Sequence, residues 1–161
     1  MDTKPDSQNI GNAGEYFFAF ILSAHGFTST ITLGRAETFD ILAVNPNGKP
    51  VKISVKTRWG KVNSWPLSDK CDDLVAPDLF YAFVRLNEMK EPPEFWVFPS
   101  SFIAPLISQS NQNWLKTPGK NGQKHNESSV RQFFVTGEKY WPKNISMKTI
   151  EDAKNNIKPL L

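Results

Sequence analysis

The sequence predicts one α/β domain with a mixed central β-sheet of about five strands flanked by helices. Three observations predict it: a largely apolar helical segment comes first, and a hairpin with an Asn-Pro-Asn-Gly turn follows. Two more β-rich runs then lie beyond a polar stretch. At 161 residues the chain is long enough for one core and too short for two. No internal repeat or composition break divides residues 1–161, so they are expected to form a single domain.

Ser7 is placed to cap the first helix, "SQNIGNAGEYFFAFILSAHG", and Gly26 to stop it. The second half of this helix is apolar nearly all round, which predicts burial. Gly11 and Gly14 disfavour a helix, so a close packing contact is expected there. Glu15 shares a face with Phe18, Ala19 and Leu22, and a carboxylate at the edge of an apolar face is costly unless something binds it.

Strands are expected at 27–33, 39–44, 51–57, 79–86 and 95–99, with "NPNG" joining the second and third. The polar region before Asp78 holds "LSDKCDDLV", which suits a short helix. "SSFIAPLISQSNQNWL" predicts a helix interrupted or kinked at Pro105. From Lys116 the chain turns polar and basic, as an exposed loop does. "VRQFFV" (130–135) suits a returning strand, and Ser146 caps an expected C-terminal helix.

Composition narrows the chemistry. The hydrophobic content of 39%, with 12 Phe and 5 Trp, provides ample core material. A net charge of +3 is compatible with a polyanionic partner without requiring one. The lone Cys71 excludes an internal disulfide and a cysteine zinc site, and two histidines exclude a His-rich one. A metal would therefore be held mainly by oxygen, which points to magnesium, manganese or calcium. No leader pattern or membrane-spanning run is evident, so a cytoplasmic protein without a membrane partner is expected.

Alternation places Val51, Ile53 and Val55 on one face of the third strand and Lys52, Ser54 and Lys56 on the other. Asp40 opens the preceding strand of the same hairpin, so it is expected near Lys56. On spacing alone, a plain ion pair on a half-exposed strand is the simpler account.

Glu15 in "GNAGEYF", Asp40 in "FDILAV", and Ser54 and Lys56 in "ISVKTR" together resemble the PD-(D/E)xK nuclease superfamily, of restriction-endonuclease-like fold. The resemblance includes its Holliday-junction resolvase and small uncharacterised bacterial branches. It covers a core of about residues 7–100 and leaves about 100–161 as a helical and irregular extension. Order and strand context support it more than these short motifs do. It implies a metal-dependent DNA endonuclease, often a homodimer in this fold, using Mg²⁺ or Mn²⁺. By resemblance, Asp40 is the central metal ligand, Glu15 a supporting ligand and the Val55 backbone carbonyl a further one. Lys56 would position water or stabilise charge.

Ser54 departs from the pattern, which has Glu, Asp or Gln there. A serine is a weak neutral ligand, so magnesium binding should weaken. Three outcomes stand open: an active site with a sparse shell, completion by Glu37, Asp69 or Asp72, or a degenerate module that binds nucleic acid or a protein partner. An unrelated α/β interaction domain, with Asp40 and Lys56 as a mere salt bridge, is a further reading.

Lys52, Lys56, Arg58 and Lys61 form a basic run with no acid from Val51 to Val62. It suits phosphate contacts or simply a solvated strand end. Trp59 and Trp65 could stack on bases or close the core, with one of them expected in the core. Lys116, Lys120, Lys124, His125 and Arg131 offer a weaker second nucleic-acid contact, and Cys71 is expected to be structural.

Overall fold

The structure, a computed structural model, describes residues 4–32, 38–137 and 139–161. The first apolar segment forms α1 (Ser7–Ala24), with Ile10, Gly14, Phe18 and Leu22 buried in a stripe. Asp6, not Ser7, caps it, its carboxylate accepting the Asn9 backbone N–H at 2.8 Å. A carboxylate there also complements the positive end of the helix. Gly26, at φ +82°, takes the chain out of the helix.

The strands are β1 (Thr28–Ile31), β2 (Ile41–Val44), β3 (Pro50–Arg58), β4 (Ser64–Ser68), β5 (Leu79–Arg85), β6 (Glu94–Pro99) and β7 (Val130–Phe134). The main sheet has the order β1-β2-β3-β5-β6, and β4 pairs with β7 in a separate two-stranded ribbon. All pairings are antiparallel except β3 with β5, so the main sheet is mixed. The expected hairpin forms: Asn45 Oδ1 accepts the N–H groups of Asn47 and Lys49, both at 3.0 Å, and Gly48 turns at φ +80°. Asn45 Nδ2 donates to the Leu160 carbonyl at 3.0 Å, fastening the chain end to the turn.

Each face of the sheet has its own core. On one, Phe18 and Leu22 of α1 pack with Ile41, Ile53, Val55 and Val84, joined by Ile157 and Leu160. On the other, α2 (Ser100–Lys116) and the β4–β7 ribbon enclose Trp65, Tyr81, Phe83, Trp96, Phe98 and Phe133. The Phe83 and Phe133 rings stack with centroids 4.1 Å apart, and Trp65 donates to the Val84 carbonyl at 3.1 Å. Burying such large rings gives this second core most of its cohesion.

Several details depart from the sequence reading. β4 was not foreseen, because Pro66 at its centre argues against a strand; β4 pairs only with β7, where a missing N–H is tolerated. Pro105 lies within α2 without ending it. The C-terminal helix is only α3 (Met147–Asp152), capped by Ser146 as expected, and a short 3₁₀ turn follows at Lys158–Leu160. The short helix of the polar region is a 3₁₀ turn, Asp69–Asp72. Among the described residues no helix is long and apolar enough to cross a membrane.

Candidate active site

The site begins where β2 is shorter than its partner. The β2–β3 register ends at Ile41 opposite Ile53, while β3 continues to Arg58 with β5 on its other side. One step further along that register, Asp40 stands across from Ser54 rather than Lys56. The residue that faces Asp40 in register is thus Ser54, two positions before the lysine on the same strand. The Asp40 backbone N–H donates to the Ile53 carbonyl at 2.9 Å, and its own carbonyl accepts the Thr32 N–H at 2.9 Å.

The Asp40 side chain takes over where the ladder stops. Its Oδ2 accepts the Val55 backbone N–H at 2.6 Å and a longer bond from the Ser54 hydroxyl at 3.4 Å. The carboxylate is thus held by a short backbone bond, and Ser54 is 5% exposed beneath it. In a strand the N–H and carbonyl of one residue point to the same side, so the Val55 carbonyl shares this open edge.

Helix α1 brings Glu15 to the same place. The helix comes unusually close to β3 at Gly14, where an added Cβ would lie 1.9 Å from Thr57 Oγ1. The expectation of close packing therefore holds at Gly14, whereas a side chain at Gly11 would meet nothing within 4 Å. Burial raises the pKa of Glu15, the negative charge of Asp40 raises it further, and Lys56 pulls it part of the way back. These influences bring Glu15, Asp40 and Lys56 into one electrostatic neighbourhood. None of the three takes part in an ion pair among the described residues, so the plain Asp40–Lys56 salt bridge is not formed.

The proposed completing carboxylates lie elsewhere. Asp72 accepts from Arg131 Nε at 2.8 Å, and Asp69 accepts from the Ser68 hydroxyl at 3.0 Å. Both belong to the 3₁₀ turn after β4, where buried Arg131 draws Asp72 toward the β4–β7 ribbon. Glu37 lies outside the described residues. Among the described residues no three His, Cys, Asp or Glu side chains converge on one point.

The basic run is only partly free. Lys52 pairs with Asp78 at 3.0 Å and Lys61 with Glu91, whereas Lys56 and Arg58 form no ion pair among the described residues. Trp59 packs half-buried against the α1-side core, and Trp65 is fully buried in the other, so one of the two tryptophans is core as expected. A cleft of about 340 Å³ beside the site is lined by Lys4, Ser7, Thr57, Arg58, Trp59 and Glu88. Arg131 is buried and paired with Asp72 and Glu127, which removes it from the expected second nucleic-acid contact. His125 stacks on Trp114, and Cys71 is buried in the aromatic core.

The sequence did not reveal a second charged cluster, around Glu94. This carboxylate accepts from Arg85 Nε at 2.9 Å and Asn87 Nδ2 at 3.3 Å, and it also pairs with Lys154. Its partners come from separate elements, so no local spacing announces it.

An N-terminal helix, an antiparallel meander, a parallel crossover strand and an antiparallel edge strand, with Asp40 and Lys56 at the open end of the hairpin, define the architecture. This mixed five-stranded sheet flanked by helices is the architecture the sequence predicts. Two solved structures have a similar chain course. One is the bacterial homing endonuclease I-Ssp6803I, 13% identical with a TM-score of 0.49, covering 87% of this chain and 84% of its own. The other is Hjc, a Holliday junction resolvase from the archaeal hyperthermophile Archaeoglobus fulgidus, 18% identical with a TM-score of 0.47, covering 82% and 87% respectively. No protein-family model matches this sequence, and no curated protein does.

Proposed function

We propose that the chain is a metal-dependent nuclease hydrolysing DNA phosphodiester bonds, with Asp40, Glu15 and Lys56 as its working groups. The observation that carries this reading is the gathering of two carboxylates and one ammonium at the open edge of β3, outside any ion pair among the described residues. Structural charges in a folded domain are normally neutralised by partners, and among the described residues these form no ion pair.

The donor set suits a hard divalent cation, Mg²⁺ or Mn²⁺. Among the described residues both donors to the Asp40 carboxylate fall on Oδ2, which leaves Oδ1 for a ligand. Glu15 carries an electrostatic penalty from burial and from Asp40 that a cation would relieve. Asp40, Glu15 and the Val55 carbonyl are the oxygens that would hold it. Such an ion supplies charge neutralisation at the phosphate and a more acidic water. Lys56 orients the attacking water or stabilises the phosphate charge. Val55 N–H keeps Asp40 in one orientation without consuming Oδ1. Arg58 and Trp59 extend the contact surface, and Lys52 and Lys61 can exchange their exposed partners for phosphates, since surface ion pairs contribute only about 0–1 kcal/mol.

A second reading rests on Ser54. With a hydroxyl in place of a third acid and no three-residue ligand cluster among the described residues, the chain can act as a nuclease-fold module that binds nucleic acid without cutting it. Cleavage of plasmid and branched DNA with Mg²⁺ or Mn²⁺ separates the two. Cleavage abolished by both Asp40→Asn and Lys56→Ala supports the enzyme. Salt-sensitive binding with no cleavage in wild type or variants, across metals and substrates, supports the module and overturns the enzyme.

A further inference from the structure

On the far side of the domain from α1, the second half of α2 and the outer face of β7 border a cavity of about 420 Å³. Ile107, Ser110, Trp114, Val130, Phe134 and Tyr140 line it. Three are aromatic, and Val130 is 48% exposed at its rim. The helical members recur at three- and four-residue spacing, so one face of α2 forms the wall.

Two features set this cavity apart from a packing defect. Ser110 is only 8% exposed, yet its hydroxyl has no hydrogen-bond partner among the described residues. An unpaired buried hydroxyl costs stability unless something outside the chain completes it. Trp114 is also held in place, because the His125 ring stacks on it at 4.0 Å and 18°. The wall is therefore a fixed aromatic plane with an unsatisfied polar group nearby. Such a mostly apolar pocket with few polar groups suits a flat heteroaromatic ring.

The surroundings add charge. Lys116 at the end of α2 and Lys120 and Lys124 on the loop beyond it follow Trp114, all exposed and in no ion pair among the described residues. Among the described residues Glu127 is a nearby acid, but Arg131 and Asn111 both engage it. At the other end, Phe134 pairs across the ribbon with Ser64, and the Val135 N–H donates to the Asn63 carbonyl at 2.9 Å. The strand that forms one wall of the cavity is thus paired to β4, which follows the segment that carries Arg58 and Lys61.

The geometry points to a nucleobase pocket: the cavity takes the unstacked base of a nucleotide against Trp114, with Ser110 hydrogen-bonding its edge and the lysine loop receiving its phosphate. This rests on the nucleic-acid reading above and extends it to substrates that present an unpaired base. Aromatic stacking accepts any base, so the pocket selects for unpairing rather than for sequence. A free nucleotide has the same chemistry as an unpaired base in a strand.

The test is equilibrium binding to the full chain in chelator, without metal. The probes are a fully paired duplex, the same duplex with one bulged base, and deoxyadenosine monophosphate. Expected is a preference for the bulged duplex of roughly tenfold, removed by Trp114→Leu and by Val130→Glu. Val130→Glu acts at the exposed rim, so it tests the pocket even where Trp114→Leu disturbs folding. Saturable binding of the mononucleotide without a bulge preference, lost in the same variants, assigns the pocket to free nucleotides instead. Equal affinity for all duplexes with no mononucleotide binding overturns the inference, as does a bulge preference that survives both substitutions. Asp40→Asn should leave the preference intact. Loss of cleavage therefore bears on the nuclease reading, and loss of the preference bears on the pocket.

Discussion

The two charged clusters of this molecule are built on opposite principles. Burial alone would raise the pKa of Glu94, but hydrogen bonds from Lys154, Arg85 and Asn87 override it and hold the group down to about 2. Glu15 is raised by burial and raised again by Asp40, with only Lys56 opposing. One carboxylate has been given every partner it can use; the other stands beside a second negative charge. Glu94 locks β6 to β5 and to the C-terminal segment, so its charges are consumed by structure. The charges at Glu15 and Asp40 are left available, as expected of a place that receives a ligand.

Asp40→Asn should break this contrast most severely. The asparagine amide oxygen can still accept the Val55 N–H, so the fold should persist while the negative charge is lost. Cleavage is expected to fall by about a thousandfold, the scale seen when a charge-stabilising group is removed from an active site. Thermal stabilisation by added Mn²⁺ should vanish with it. A variant that keeps its metal response would show that Asp40 is structural in the way Glu94 is.

Gly14→Ala is the next largest. A methyl at 1.9 Å from Thr57 Oγ1 must push α1 away from β3, and overpacking of this kind costs about 1–3 kcal/mol. Because Glu15 is the next residue, the displacement should lower cleavage as well as Tm. Thr57→Ala in the same chain should restore part of both, since it removes the oxygen and the methyl the new Cβ meets.

The difference between the clusters also explains what the sequence could reveal. Asp40, Ser54 and Lys56 belong to one hairpin, whose pairing follows from a four-residue turn, so their neighbourhood was legible and only the register was left to the structure. Glu15 was legible because α1 is strongly patterned and a carboxylate on its apolar edge stands out. The glycine beside it announced a close packing contact, though not that Thr57 would make it. The Glu94 cluster draws on Arg85, Asn87 and Lys154, and only tertiary packing brings the last of these to β6. β4 was missed for a related reason: Pro66 argues against a strand locally, and only the distant β7 makes it one.

Glu94→Gln tests the structural pole. A partly exposed carboxylate with three partners should cost about 1–2 kcal/mol when neutralised, with cleavage at saturating metal unchanged. The two poles also have opposite pH slopes. Because the folded pKa of Glu94 is depressed, its stabilisation is present above the ordinary carboxylate range and is lost as pH falls toward 2. Because that of Glu15 is raised, its contribution is greatest at low pH and is lost as pH rises out of the ordinary carboxylate range. Without metal, Glu15→Gln should therefore raise Tm slightly near neutrality and leave it unchanged in acid. A lowered neutral Tm would show that Glu15 has a partner after all.

Ser54 offers the finest discrimination, because it lies between the two principles. Its hydroxyl donates to Asp40 Oδ2, so it acts on the site as a partner rather than as a charge. At 3.4 Å the bond is long, and Val55 N–H already holds the same oxygen at 2.6 Å. Ser54→Ala should therefore change the metal affinity of Asp40 by no more than about threefold, the low end for a lost hydrogen bond. Ser54→Glu, by contrast, adds an anionic oxygen to a site with two carboxylates among the described residues. It should tighten Mn²⁺ binding and raise cleavage if the variant folds, as circular dichroism would report. Were Ser54→Ala to abolish cleavage outright, the hydroxyl would be a working group in its own right, and the contrast between partnered and unpartnered acids would not suffice to describe this site.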